Sequence, residues 1–158
     1  LLWGCLVGAV LAPFSGQLLD RFGARLPIML GVGLSLLATC LYAATITRLA
    51  TTQLALVYVM FAAGQSLMYG NNMTCALRYL TAEVKSDGNA MFTTLQQLSG
   101  AIGTSVIAAV VNAAQAGVAD SAMAQATANG AQSATLVLVC AMALSFVFAL
   151  LETGRARR

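Results

Sequence analysis

Read from its first residue, the chain alternates long apolar runs with short polar breaks. Five runs stand out, at about residues 1–19, 27–45, 53–80, 89–113 and 134–151. Each approaches or exceeds the 20 or so mainly apolar residues that an α-helix needs to cross a bilayer. No run shows the two-residue alternation of a half-buried strand. The pattern predicts an all-α membrane protein with five spanning helices over 1–151 and a short charged tail at 152–158.

The runs differ in kind. The second, broken only by Ser35, Thr39 and Cys40, and the fifth, broken by Ser145, are nearly pure hydrocarbon. They are expected to lie outside, the second facing lipid over most of its circumference. The first holds Pro13, which predicts a kink. The third carries Gln65, Asn71, Asn72 and Thr74. The fourth carries Thr93, Thr94, Gln96, Gln97, Ser99 and Thr104. Polar side chains at membrane depth turn toward protein or a water-filled cavity, so these two are expected to face inward. In the third run Tyr58, Gln65, Tyr69 and Asn72 recur at spacings that share one helix face. In the fourth, Asn89, Thr93, Gln96 or Gln97, Gly100 and Thr104 do the same. Gly100 and Gly103, with Ser99, offer small-residue contacts for helix packing. The Ala- and Asn-rich connection Gln115–Ser133 predicts either a short helix outside the membrane or a loose loop.

Composition sharpens this picture. The chain is 59% hydrophobic and 8% charged, against roughly 25% charge in soluble domains. Five spans place Arg21, Arg25, Arg78, Lys85, Arg155, Arg157 and Arg158 on one side and Arg48 alone on the other. Basic loops mark the cytoplasm, so the C-terminus is expected to be cytoplasmic and the protein to sit in the inner (plasma) membrane. The basic residues are scattered, and no nucleic-acid patch is predicted. Cys5, Cys40, Cys75 and Cys140 lack CxxC spacing, and the chain has no histidine. They are expected to be small apolar packing residues, with no metal and no cofactor. Without histidine, a G-x-S-x-G motif or a buried acid pair, an enzyme is not expected.

One stretch stands apart: Gly16-Gln17-Leu18-Leu19-Asp20-Arg21-Phe22-Gly23-Ala24-Arg25. It is a charged, glycine-bracketed turn between two apolar runs. Asp20 is expected to accept hydrogen bonds from the start of the second helix and to favour its positive end. Arg21 and Arg25 are placed to pair with Asp20, with an acidic neighbour or with lipid phosphate. Gly16 and Gly23 permit close approach and unusual dihedrals. On the residues alone, the turn is either a topology signal or a conformational latch.

The pattern of Gly16, Leu18, Asp20, Arg21, Gly23 and Arg25 resembles the loop motif of the major facilitator superfamily. The run from Asp87 to Ala90 and from Leu95 to Thr104 resembles the penultimate helix of its fourteen-span drug:proton antiporter branch. Gln96 and Gln97 depart from the Arg-Gln pair frequent there. The resemblance implies the last five helices of a six-helix C-terminal half, partnered by an N-terminal half outside this chain. It implies that runs one, three and four border a cavity, with Tyr58, Gln65, Tyr69, Asn72, Gln96 and Gln97 facing substrate. The implied function is proton-coupled efflux of amphipathic small molecules by alternating access. The alternatives are a carrier for a metabolite or siderophore, or a non-transporting scaffold. None of the five acidic residues lies inside an apolar run, so no proton relay is expected within this stretch.

Overall fold

The computed structural model describes residues 2–45 and 51–155. Five long helices carry almost all of it: α1 (Leu2–Phe22), α2 (Arg25–Thr45), α3 (Thr51–Arg78), α4 (Lys85–Gln115) and α5 (Met123–Arg155). A single 3-10 turn, Asp120–Ala122, precedes α5. Arg48, expected on the external side, lies outside the described residues.

Local chemistry sets the helix ends. α1 closes on Gly23, whose φ of 75° and amide hydrogen bond to the Leu19 carbonyl (2.9 Å) form a left-handed stop. α2 starts two residues later. Pro27 sits in its first turn, where a missing N–H costs nothing. α3 and α4 are joined by turns over residues 79–84. α4 ends as the Ala116 amide donates to Asn112 O (3.0 Å), with Gly117 at φ 74° just beyond.

The helices form an open row in the order α1, α3, α2, α5, α4. α3 packs extensively on both α1 and α2, α2 on α5, and α5 on α4. α3 and α4 scarcely touch. The accessible surface is 10463 Å², whereas a folded soluble monomer of this mass would expose about 7,500 Å². The excess belongs largely to apolar helix faces left exposed among the described residues.

α2 and α3 cross with their backbones close together. A Cβ on Gly31 would stand 2.7 Å from the Gly64 carbonyl oxygen and 2.8 Å from the Met68 nitrogen. One on Gly64 would meet Gly31 O at 2.8 Å and collide with the Ser35 hydroxyl. Lipid tails are as apolar as leucine, so helices associate in a bilayer through such close fit. This corrects the expectation for the second run. α2 does not face lipid over most of its circumference: Pro27, Gly31, Val32, Ser35, Ala38, Thr39 and Ala43 are buried. Its few small and polar residues are the contact surface.

Two further boundaries differ. Residues 123–133 are neither a loose loop nor a separate helix but the first turns of α5. They hold because Gly130 lies against α4, where an added Cβ would come within 2.9 Å of the Ala114 Cβ and 3.1 Å of the Val111 Cα. A hydrogen bond from Gln115 Nε2 to Thr127 Oγ1 (2.7 Å) ties the same hairpin. The expected tail at 152–158 begins inside α5, which runs on to Arg155.

Among the described residues, α2, α4 and α5 over Met123–Leu151 are long and apolar enough to cross a membrane. α1 and α3 have 21 and 28 residues, enough in length, and α3 is more polar.

Candidate functional site

Most of the hydrogen bonds between helices, among the described residues, lie between α1 and α3, which run parallel. On α1, Gly4, Gly8, Ala12 and Gly16 recur every fourth residue and so share one face. Gly4 leaves room for the Tyr58 ring, which an added Cβ would strike. One turn on, Ser66 Oγ donates to the Gly8 carbonyl (2.8 Å).

Further along, a buried network pins the two helices. Asn71 Nδ2 donates to Ser15 Oγ and to the Leu67 carbonyl, both at 2.8 Å. Ser15 Oγ in turn donates to Leu67 O at 3.1 Å. Ser15 and Asn71 are each 3% exposed. A buried amide left unpaired would cost about 1–3 kcal/mol, which explains why the set closes on itself.

Two clefts flank this groove. The upper one, about 380 Å³, is walled by Gly4, Gly8, Tyr58, Phe61, Gln65 and Tyr69. The lower one, about 550 Å³, is bounded by Ser15, Gly16, Asp20, Tyr69, Asn71 and Thr74. Ser66 and Tyr69 line both, so the clefts adjoin. In the upper cleft Gln65 Oε1 is buried with no hydrogen-bond partner. A third cleft, about 420 Å³ and apolar, lies between α2, α3 and α5 and shares Tyr58 and Phe61 with the upper one.

The structure sorts the sequence-predicted residues. Tyr58, Gln65 and Tyr69 converge on one cleft. Gly16 and Asp20 join the adjacent one, and an added Cβ on Gly16 would meet nothing within 4 Å. Asp20 does not cap α2. Among the described residues its carboxylate has no hydrogen-bond or ion-pair partner, and it lies along the cleft instead. Arg21 and Arg25 are exposed and line neither cleft.

Asn72, Gln96 and Gln97 line none of the three clefts. The buried amide is Asn71, one residue away from the one the stripe selected. Gly100 and Gly103 meet no neighbour within 4 Å among the described residues. α4 has no buried residue at all. Its Thr93, Thr94, Ser99, Thr104 and Ser105 hydroxyls each donate to the carbonyl four residues back, at 2.7–2.9 Å. A helix that satisfies its own hydroxyls needs no polar neighbour for them.

Sequence reasoning missed Ser15 and Ser66 as partners of α3 and α1. The usable signal was the four-residue repeat of small residues on α1, which marks a face that another backbone approaches.

A parallel pair of helices zipped by small residues, beside an aromatic and amide-lined cleft in a bundle of largely apolar exposed helices, fits a membrane-embedded helical bundle. A sequence profile of the Major Facilitator Superfamily matches residues 2–104, and the chain belongs to that superfamily of multi-pass membrane transporters. It is 36% identical over 110 residues to the uncharacterized MFS-type transporter YhcA of Bacillus subtilis, covering 70% of this chain and 21% of the relative. It is 29% identical over 153 residues to the lincomycin resistance protein LmrB of Listeria monocytogenes, covering 96% of this chain and 31% of the relative. The corresponding protein of Listeria innocua is 32% identical over 117 residues, 73% of this chain and 24% of the relative. The chain therefore spans between a fifth and a third of the length of these relatives. No solved structure matches it.

Proposed function

We propose that this chain forms part of a secondary transporter that exports amphipathic, drug-like small molecules in exchange for protons. It works by alternating access, its helices rocking as a unit against the remainder of the protein. The observation that carries the reading is the convergence of Tyr58, Gln65 and Tyr69 on one cleft beside α1. Aromatic faces with an amide suit ligands that combine an apolar body with a few polar groups. The names of the LmrB relatives point the same way.

In this reading all five helices cross the plasma membrane. The seven-to-one distribution of basic residues supports a cytoplasmic C-terminus and a cytoplasmic α1–α2 turn. Protons, the lipid bilayer and the rest of the protein are the partners. Gly100 and Gly103 on the open face of α4 are packing positions for that remainder.

The test is transport by the full-length protein in proteoliposomes with an imposed pH gradient. Lincomycin and ethidium should move against their gradients and stop when a protonophore collapses the pH difference. Movement at the same rate after collapse would remove proton coupling. No movement of either compound would remove drug efflux.

A further inference from the structure

α3 and α5 each pack on α2 but, among the described residues, not on each other. The result is a furrow of about 420 Å³ along one face of α2. Ala38 and Thr39 form its floor and are 1% and 6% exposed. Leu54, Tyr58 and Phe61 make the α3 wall, and Thr135 and Leu138 the α5 wall. No charged residue lines it. The Thr39 and Thr135 hydroxyls donate to the Ser35 and Ala131 carbonyls of their own helices, both at 2.7 Å. Floor and walls therefore offer mainly apolar contact.

Two helices fix the side on which the furrow opens. Tyr58 and Phe61 also line the cleft of Gln65, which follows Phe61 by four residues on the same face of α3. Gln65 has a buried oxygen without a partner. Polar groups at membrane depth turn to protein or to a water-filled cavity, not to lipid. On α2 the exposed Leu30, Leu37 and Leu41, seven and four residues apart, share a different face. The furrow thus opens on the protein-facing side of the row, away from the leucines of α2. The relatives have more chain to place there, since this one covers only 21% to 31% of their length.

We infer that the furrow between α3 and α5 is the seat of a further apolar helix from the remainder of the same polypeptide, which sets bulky side chains onto Ala38 and Thr39. From Leu54 to Phe61 the furrow runs about 10 Å, two turns of helix. That length takes side chains of a facing helix at i, i+3 or i+4, and i+7. A floor of small residues between larger walls accepts a large knob, and close fit is what holds helices together in lipid. The seat is separate from the open face of α4, because neither Gly100 nor Gly103 lines it. The inference rests on membership of the superfamily and on the length of the relatives, not on the efflux reading. Failure of gradient-driven export would leave it standing.

The experiment places the photoreactive p-benzoylphenylalanine at Leu138, 42% exposed on the α5 wall, in the full-length protein in its own membrane. Illumination and peptide mapping should give an adduct to an apolar peptide of the same polypeptide, outside these 158 residues. The same probe at Leu37, beside Ala38 but on the exposed leucine face, should give lipid adducts. A phospholipid adduct at Leu138, an adduct to a second copy of the protein, or no adduct at all would overturn the inference. So would capture of the same peptide from Leu37. A second variant, Ala55→Trp, puts a large ring into the furrow, which this chain leaves open. Ring and helix then compete for one volume, and the yield of full-length protein should fall several-fold. Leu37→Trp should hold the yield within about twofold. Full yield of Ala55→Trp would show that no helix seats there.

Discussion

α2 and α4 have fates opposite to those their compositions suggest. α2 is close to pure hydrocarbon, yet seven of its residues are buried, among them Ser35 at 0% and Thr39 at 6% exposure. α4 carries hydroxyls and amides along most of its length, yet none of its residues is buried. Met91, Leu95, Leu98 and Ile102, at a helical spacing, are all more than half exposed on it. In water such a comparison would be perverse, because burial there follows apolarity. In a bilayer it is not. An apolar helix gains little from exchanging lipid for protein unless the fit is close, and Gly31, Ser35 and Gly64 provide that fit. Polarity by itself does not demand a neighbour when each hydroxyl bonds its own helix.

The largest effect that would probe this comparison is Gly64→Leu. A side chain there collides with Ser35 and the α2 backbone, neither of which can move aside cheaply. We expect a loss of about 3 kcal/mol or more, read as collapse of the monodisperse yield of full-length protein. A normal yield and melting temperature would show that the α2–α3 crossing is not the packed centre.

At the other end stands Gly103→Leu on α4. Among the described residues, a Cβ added at Gly103 would meet nothing within 4 Å, so yield should hold. If the face packs against the rest of the transporter, as proposed, transport should fall about tenfold, the kinetic equivalent of a modest overpacking cost. Unchanged transport would leave that face turned to lipid and sharpen the contrast with α2 further.

A smaller effect is expected at the α1–α3 pin. Asn71→Leu removes two donor contacts to Ser15 on α1 and one to the Leu67 carbonyl of its own helix. Hydrogen bonds between membrane helices average only about 0.6 kcal/mol, with an upper range near 1.7. The melting temperature should drop slightly, and Asn72→Leu should drop it less. Equal effects of the two would mean that the network at Asn71 does not hold the helices together.

The smallest effect belongs to Thr94→Ala. Its hydroxyl bonds only the Ala90 carbonyl, and stability should change by no more than about 0.5 kcal/mol. A loss above 2 kcal/mol would reveal an interhelical role for α4's hydroxyls and erase the comparison.

Much of the molecule was legible in the chain itself. Hydropathy alone marked five helices, and the charged turn at Gly16–Arg25 marked where the first two meet. Gly23 was readable as a special backbone position and carries the positive φ. The superfamily was readable from that turn. That Tyr58, Gln65 and Tyr69 share the face that lines one cleft follows from the four-and-three spacing on α3, because a helix fixes which of its residues share a face.

Tertiary structure decided the rest. Helical period cannot tell which of two adjacent amides points at a neighbour, and the crossing of α1 turned Asn71, not Asn72, into the buried one. Nor can it tell which helices touch. Gln96 and Gln97 have the right chemistry for a cavity wall, but α4 packs on α5 and hardly meets α3. The alanine-rich connection became the start of α5 because Gly130 found Val111 and Ala114 across a hairpin. Each of these outcomes depends on contacts between residues far apart in the chain. Sequence determined the helices and the faces they possess, since those follow from neighbours within a few residues. Which faces meet depended on steric fit at a few glycines and serines, and that fit exists only once the helices are assembled.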